Sequence, residues 1–294
     1  MPDALICDTC LAQFPVVRGV PRFVASANYA ASFGLQWNRH RRTQLDSFTA
    51  RPISRDRVRA STRWPDRLDG EIILEAGSGA GRFTEVLLST GATVYSFDYS
   101  SAVDANLVSH GSSSRLCLFQ ADIFAIPLKR QAFDKVFCLG VLQHTPDPER
   151  AFKSLTEYVR PGGELVIDIY AKRLTALLSW KYVLRPVTTR LSSERLYRWV
   201  ERTVDWSLPA AVTLRRLAGR TGARLLPIVE YSYLGLPADV NREWAVLDTF
   251  DMYAPAHDHP RTIRTVTRWF TDAGFTDIEV GRGLNGIVGR GKRP

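Results

Sequence analysis

The stretch Glu75-Ala76-Gly77-Ser78-Gly79-Ala80-Gly81-Arg82 is where chemistry is easiest to place. It follows the apolar run Ile72-Ile73-Leu74 and precedes a helical pattern. Glycines at such a junction let the backbone turn sharply and approach a ligand without side-chain obstruction. The helix that follows points its free N–H groups at whatever binds there. A dinucleotide fingerprint needs a third glycine three places after the second. Arg82 stands at that place and the glycines run G-x-G-x-G, which disfavours nicotinamide and flavin dinucleotides. Asp98, 21 positions after Gly77 and followed by Tyr99, can accept hydrogen bonds from both hydroxyls of a ribose. Asp122 can accept from an adenine amino group while the Ile123 N–H reaches a ring nitrogen, although a helix cap uses the same residue types. The ligand these residues suit carries a nucleoside.

A second set could serve a reacting partner. His144, in Gln143-His144-Thr145-Pro146-Asp147-Pro148, titrates near neutral pH and is a candidate base or a structural imidazole. Tyr170 ends an apolar strand and either faces a ligand or packs in the core. Further on, Asp248-Thr249-Phe250-Asp251-Met252-Tyr253 precedes His257. Asp251 and Tyr253 suit acceptor binding, and hydrogen bonds that stabilise a loop would use the same residues. There is no nucleophile elbow and no metal-binding helix motif.

Alternating elements must position these groups. Strands are expected over Glu71–Ala76, Ala92–Phe97, Arg115–Gln120, Phe133–Leu139 and Glu164–Tyr170. A helix with Phe83, Val86 and Leu87 on one face follows the first, and Ser100 or Ser101 can cap the helix after the second. The helix over Asp147–Val159 is closed by Pro161-Gly162-Gly163. Such alternation implies an α/β, Rossmann-like, doubly wound sheet, mostly parallel, with ligands bound beyond the strands' carboxyl ends. After residue 170 the alternation stops. Helices are expected over Lys172–Leu184, Ser192–Trp206 and Pro209–Arg220, and a folded loop over Tyr231–His259. A helix over Arg261–Ala273 and an antiparallel pair, Phe275–Val280 with Gly286–Val288, complete the chain. The implied divisions are a lid segment (1–68), a binding core (69–170), an inserted helical cap (171–260) and a C-terminal completion of the core (261–294).

With Leu74–Gly81, Phe97-Asp98, Ala121-Asp122-Ile123, Phe133-Asp134-Lys135-Val136 and Arg160-Pro161-Gly162-Gly163 in this order, residues 70–170 resemble the class I S-adenosylmethionine-dependent methyltransferases. The resemblance implies that Glu75, Gly77, Ser78, Gly79, Gly81 and Arg82 line the methionine end of S-adenosylmethionine. It implies that Asp98 and Tyr99 hold the ribose and that Asp122 and Ile123 hold the adenine. Leu139, Gly140 and Gln143 would flank the sulfonium. Phe33–Asn38 resembles the N-terminal lid of small-molecule methyltransferases, with Gln36 and Trp37 over the cofactor. Cys7-Asp8-Thr9-Cys10, followed by Phe14-Pro15 and Gly19-Val20-Pro21-Arg22-Phe23, looks like half of a zinc ribbon. Two thiolates are half of a structural site, so no metal is expected. The implied reaction is methyl transfer by in-line displacement to a small molecule, such as a sugar, a nucleotide-linked sugar or a secondary metabolite. An RNA methyltransferase and a cofactor-binding protein without transferase activity are the alternatives.

Composition narrows the class. The 294 residues are 45% hydrophobic and 23% charged, as expected of a globular chain. No apolar run reaches the roughly 20 residues needed to span a bilayer, and the N-terminus lacks signal-peptide character, so a cytoplasmic protein is expected. Four cysteines make no disulfide framework, and Cys117 and Cys138 read as buried thiols. Net charge is +9, with an acidic middle and a +9 balance over residues 172–224 alone. That basic segment predicts an anionic or nucleotide-linked acceptor. No RNA-binding module is recognisable, which disfavours a nucleic-acid partner.

Overall fold

The computed structural model describes residues 3–25, 28–172 and 179–294. The run from Ile72 stays in the sheet through Ala76 and then leads into a glycine turn. β4 (Ile72–Ala76) is an interior strand of a seven-stranded sheet, hydrogen-bonded to a parallel neighbour on each side. With β5 (Thr93–Asp98), β6 (Leu116–Gln120), β7 (Phe133–Cys138), β8 (Val159–Ile169), β9 (Thr276–Gly283) and β10 (Gly286–Lys292), the strand order is β6-β5-β4-β7-β8-β10-β9. The first five are parallel, and β10 runs antiparallel to both β8 and β9. The order in which successive strands are added reverses between β4 and β7, which opens a crevice at their carboxyl ends.

Helices cover both faces. α3 (Ile53–Thr62) and α4 (Arg82–Ser89) bury Val58, Phe83 and Leu87 on one side. α6 (Pro148–Thr156) and α10 (Ile263–Asp272) bury Phe152, Leu155, Trp269 and Phe270 on the other. α5 (Val103–His110) follows β5. It starts from Ala102 without a side-chain cap; Ser100 instead bonds Asp98 and the Ala102 N–H. N-terminal strands β1 (Ala4–Ile6), β2 (Gln13–Val17) and β3 (Val20–Pro21) form a small antiparallel sheet. It docks on the main sheet's edge where the Phe23 N–H donates to the Gln120 carbonyl. Next come α1 (Ala31–Arg39) and α2 (Asp46–Thr49).

The cap holds its own core between α8 (Ser193–Ala223) and α9 (Ala238–Tyr253), built on Val200, Val204, Ala211, Val246 and Phe250. α7 (Trp180–Thr188) packs beside them, and positions 173–178 of the helix expected over Lys172–Leu184 lie outside the described residues.

Four expectations are corrected. α8 is a single element through Pro209, because Val204, Ser207 and Ala211 continue one buried row; its break falls at Ala218–Gly219. Tyr231–His259 contains a 16-residue helix rather than a loop. That helix is buried on most of its circumference, which erases the one-sided stripe that sequence patterning needs. Pro161-Gly162-Gly163 lies inside β8, where Gly162 and Gly163 exchange backbone hydrogen bonds with Arg293. Cys117 is exposed, whereas Cys138 is buried.

Candidate active site

At the end of β4 the chain turns through three glycines with positive φ: Gly77 (+79°), Gly79 (+52°) and Gly81 (+91°). Two of them also sit against neighbours. A Cβ on Gly77 would lie 2.2 Å from Val141 Cγ2, and one on Gly79 3.2 Å from the Trp37 ring. Asp98, at the end of β5, holds the turn in place. Its Oδ2 accepts from the Gly79 N–H (2.9 Å), and its Oδ1 accepts from the Ser100 N–H (2.8 Å) and hydroxyl (2.7 Å). Burial raises the Asp98 carboxyl above its usual range against these hydrogen bonds.

This turn opens into a cavity of about 370 Å³. Gly77, Ser78, Gly79, Asp98, Tyr99 and Ile123 form one end, with Trp37 and Phe33 of α1 across from them. Leu139, Gly140, Val141, His144 and Tyr170 form the middle. The cap closes the far end with Lys181, Tyr231, Asp248, Asp251 and Met252.

His144 is held with one nitrogen already engaged. Its Nδ1 lies 3.1 Å from the His257 carbonyl. A carbonyl only accepts, so Nδ1 carries the proton and Nε2 keeps its lone pair. Burial lowers the imidazole's pKa, with Asp251 opposing, so the ring is neutral at pH 7. The Phe33 and Tyr170 rings pack against it. The Tyr170 hydroxyl is 3.4 Å from Asp251 Oδ2, and burial keeps this phenol protonated.

Every charge at the far end has a partner within the protein. Arg57 pairs with Asp168 (2.7 Å), whose other oxygen accepts from the Gly140 N–H. Lys181 pairs with Asp258 (2.8 Å), which also accepts from the Tyr182 hydroxyl. Arg82 donates to Ser54 and Gln44 (2.9 Å each). Asp248 accepts from Gln44 Nε2 and from the Tyr231 hydroxyl; burial raises its carboxyl to about 6.

Several residues expected at the site lie elsewhere. Glu75 turns away from the cavity and accepts from the Thr84 (2.6 Å) and Ser96 (2.7 Å) hydroxyls. Gly81 faces Asn106 and His110, and Asp122 folds onto its own loop by accepting from the Phe124 N–H. Gln36 and Gln143 are buried outside the cavity lining. Tyr253 is fully buried behind the wall, donating to the Pro227 carbonyl. In the other direction, Arg57, Lys181, Tyr231 and Asp248 join the wall although none was singled out as a site residue. One signal for Arg57 was available: Asp168 is a charged residue inside the apolar strand Leu165–Ile169 and demands a partner. Cys7 and Cys10 sit at the turn between β1 and β2, and no group of metal-ligating side chains occurs among the described residues.

An open sheet with a reversed antiparallel strand at one side and a glycine turn beside an acidic strand end defines the class I methyltransferase fold. Comparison with known proteins agrees. Residues 74–167 match the methyltransferase domain family. The chain is 26% identical over 181 residues to a ubiquinone biosynthesis O-methyltransferase of Pseudomonas fluorescens (strain SBW25), covering 59% of this chain and 77% of that one. It is 31% identical over 113 residues to the protein of that name from Coxiella burnetii (strain Dugway 5J108-111), covering 38% and 48%. A putative methyltransferase solved in complex with the Haloferax volcanii Trm112 activator shares the fold at 12% identity, with a TM-score of 0.51 over 89% of this chain and 97% of that one. The domain over residues 74–167 is that of an S-adenosylmethionine-dependent methyltransferase. No helix among the described residues is long and apolar enough to cross a membrane.

Proposed function

We propose that the chain methylates a hydroxyl of a small, uncharged polar acceptor, with His144 as the base. S-adenosylmethionine supplies a methyl group already activated on a sulfonium, so the protein has only to align the acceptor oxygen and remove its proton. The glycine turn fits that cofactor: its backbone approaches where a side chain would collide, and Asp98 stands at the strand end that suits a ribose. In this reading Gly77 and Gly79 take the methionine end, and Tyr99 and Ile123 take the nucleoside. The far end, walled by Tyr170, Tyr231, Asp248 and Asp251, takes the acceptor.

The observation that carries the choice of base is the Nδ1 contact of His144 with the His257 carbonyl, which directs the Nε2 lone pair away from that contact. Relatives named as O-methyltransferases support oxygen as the methylated atom. The balance of charge supports an uncharged acceptor over an anionic one: Arg57, Arg82 and Lys181 line the cavity together with Asp98, Asp248 and Asp251. Of residues 179–224, Lys181 alone among the basic side chains lines it, so the basic segment gives the anionic acceptor no support there.

The test is His144→Ala, assayed with a catechol or sugar panel. Loss of a general base should lower kcat by about 10²- to 10⁴-fold while cofactor affinity holds. Because the neutral imidazole is the active form, wild-type kcat should rise with pH and level off by neutrality. That rise should vanish in the variant. Unchanged kcat, or a loss traced wholly to cofactor binding, would remove His144 from the reaction.

A further inference from the structure

α7 is amphipathic the wrong way round for a helix of a solvated protein. Its polar residues face inward: Lys181 and Tyr182 bond Asp258, and Arg185 donates to the Pro255 carbonyl (2.8 Å). Three of its apolar residues face solvent, Trp180 40%, Val183 56% and Val187 62% exposed, while Leu184 packs on the cap core. Among the described residues, nothing buries that row.

The neighbouring surface continues it and adds charge. The Trp180 Nε1–H donates to the Leu225 carbonyl just beyond α8, and Leu225 is itself exposed. At the other end, Thr188 bonds the Tyr253 carbonyl while Trp199 of α8 packs on the Tyr253 ring. The outer face of α8, opposite its buried row, carries Trp206 and Leu217, 83% and 79% exposed. Arg195, Arg198, Arg202 and Arg216 share that face, all exposed, and none of them forms a salt bridge among the described residues. Of the three acids of α8, Glu201 and Asp205 are engaged by Arg242, and Glu194 lies exposed in the first turn, so the face keeps a net positive charge.

We propose that the α7–α8 face docks on an anionic lipid bilayer, lying in the interface without crossing it. Tryptophans beside aliphatic residues, rimmed by arginines, match the boundary between acyl chains and phosphate headgroups. The chemistry favours this occupant over two others. A second copy meeting the first across a two-fold axis would bring four free arginines against four. Nucleic acid would satisfy the arginines and could stack on Trp180 and Trp206, but it would leave the aliphatic Val183, Val187, Leu217 and Leu225 in water, whereas acyl chains would bury them. The placement also serves the site, since α7 presents Lys181 to the cavity and Val183 to the outside.

The experiment is co-sedimentation of the full chain with vesicles of phosphatidylcholine alone or mixed with phosphatidylglycerol, at low and high salt. Val183→Glu/Val187→Glu and Arg195→Glu/Arg202→Glu are the variants, checked for S-adenosylmethionine binding to confirm folding. Anionic vesicles should bind the wild type at least about tenfold better than neutral ones, and less well as salt rises. Each double variant should weaken binding by about tenfold or more, with cofactor affinity unchanged. Failure to bind anionic vesicles at low salt, or binding that survives both variants, overturns the proposal. So does a dimer, or retention of RNA, that the same variants abolish while vesicles go unbound. Loss of cofactor binding in the wild type would instead strike the enzymatic reading and leave the vesicle result standing.

Discussion

Glu75→Gln tests whether the acid before the glycine turn belongs to the cofactor site or to the fold. In the structure this carboxylate is fully buried, with no cation beside it. Burial raises it from the ordinary 4.5 to about 7, against the hydroxyls of Thr84 and Ser96 that favour its charged form. A carboxyl with a raised folded pKa binds its proton more tightly in the native state than in the unfolded one. The stability it contributes is therefore complete below the unfolded pKa and is lost as pH rises through about 7. At 1.36 kcal/mol per pH unit, the full loss is on the order of 3 kcal/mol, of which about 2.5 falls between about pH 5 and about pH 8.

Glutamine removes the titration and keeps the shape. Its NH2 group would occupy the position of an oxygen that has no partner, a penalty independent of pH. The diagnostic quantity is thus the change in the variant's relative stability with pH. Urea unfolding of both proteins at about pH 5 and about pH 8 should show Glu75→Gln gaining about 2.5 kcal/mol on the wild type at the higher pH. S-adenosylmethionine affinity should stay within a few-fold. A stability difference indifferent to pH would refute the buried, unpaired carboxylate, and a large loss of affinity at equal stability would return Glu75 to the cofactor.

Asp98→Ala should weaken S-adenosylmethionine by about 2–4 kcal/mol in calorimetry, since it removes charge-assisted hydrogen bonds and frees the Gly79 N–H; unchanged affinity would take Asp98 out of the site. Gly77→Ala should cost about 1–2 kcal/mol for the left-handed backbone and about 1–3 for the collision with Val141, and cofactor binding should fall with it. Equal denaturation midpoints for this variant and the wild type would contradict the geometry. Tyr253→Phe leaves the Pro227 carbonyl without its donor and should lower stability by about 1–3 kcal/mol, with kcat and KM unchanged; altered turnover at unaltered stability would place the phenol in the reaction after all.

The parts of the fold that sequence pattern exposes are those where one face is wet or one run is wholly dry. β4, β5 and β7 each carry a short apolar stretch (Ile72-Ile73-Leu74, Val94-Tyr95, Val136-Phe137-Cys138), and α10 puts Val266, Trp269 and Phe270 on one side. Elements buried on several sides are harder. α9 carries buried residues at Val240, Asn241, Trp244, Ala245, Leu247, Thr249 and Tyr253, which together circle the helix. α8 runs through Pro209 because packing on α9 outweighs the missing hydrogen bond. The site divides along the same line. Gly77, Gly79 and Asp98 follow from spacing, since a turn fixes what its neighbours must be. Arg57, Tyr231 and Asp248 reach the cavity from α3 and the cap, and only the tertiary structure brings such distant residues together.

Charge shows how far composition can mislead about a site. The basic segment and the cavity are separated by direction as well as distance: on α8, Val200 and Val204 point to the cap core while Arg198 and Arg202 point to solvent. A surplus counted along the chain assigns both faces to one function. In the cavity two cations are matched by acids, Arg57 by Asp168 and Lys181 by Asp258, both nearly inaccessible, and Arg82 is held by Ser54 and Gln44. An incoming anion would compete with partners already desolvated and bonded, whereas on the outer face it would meet arginines that no carboxylate of the described chain engages. Anion recognition therefore falls to the surface and acceptor recognition to hydrogen bonds. The same cap performs both because α7 turns its polar side to the enzyme and its apolar side outward.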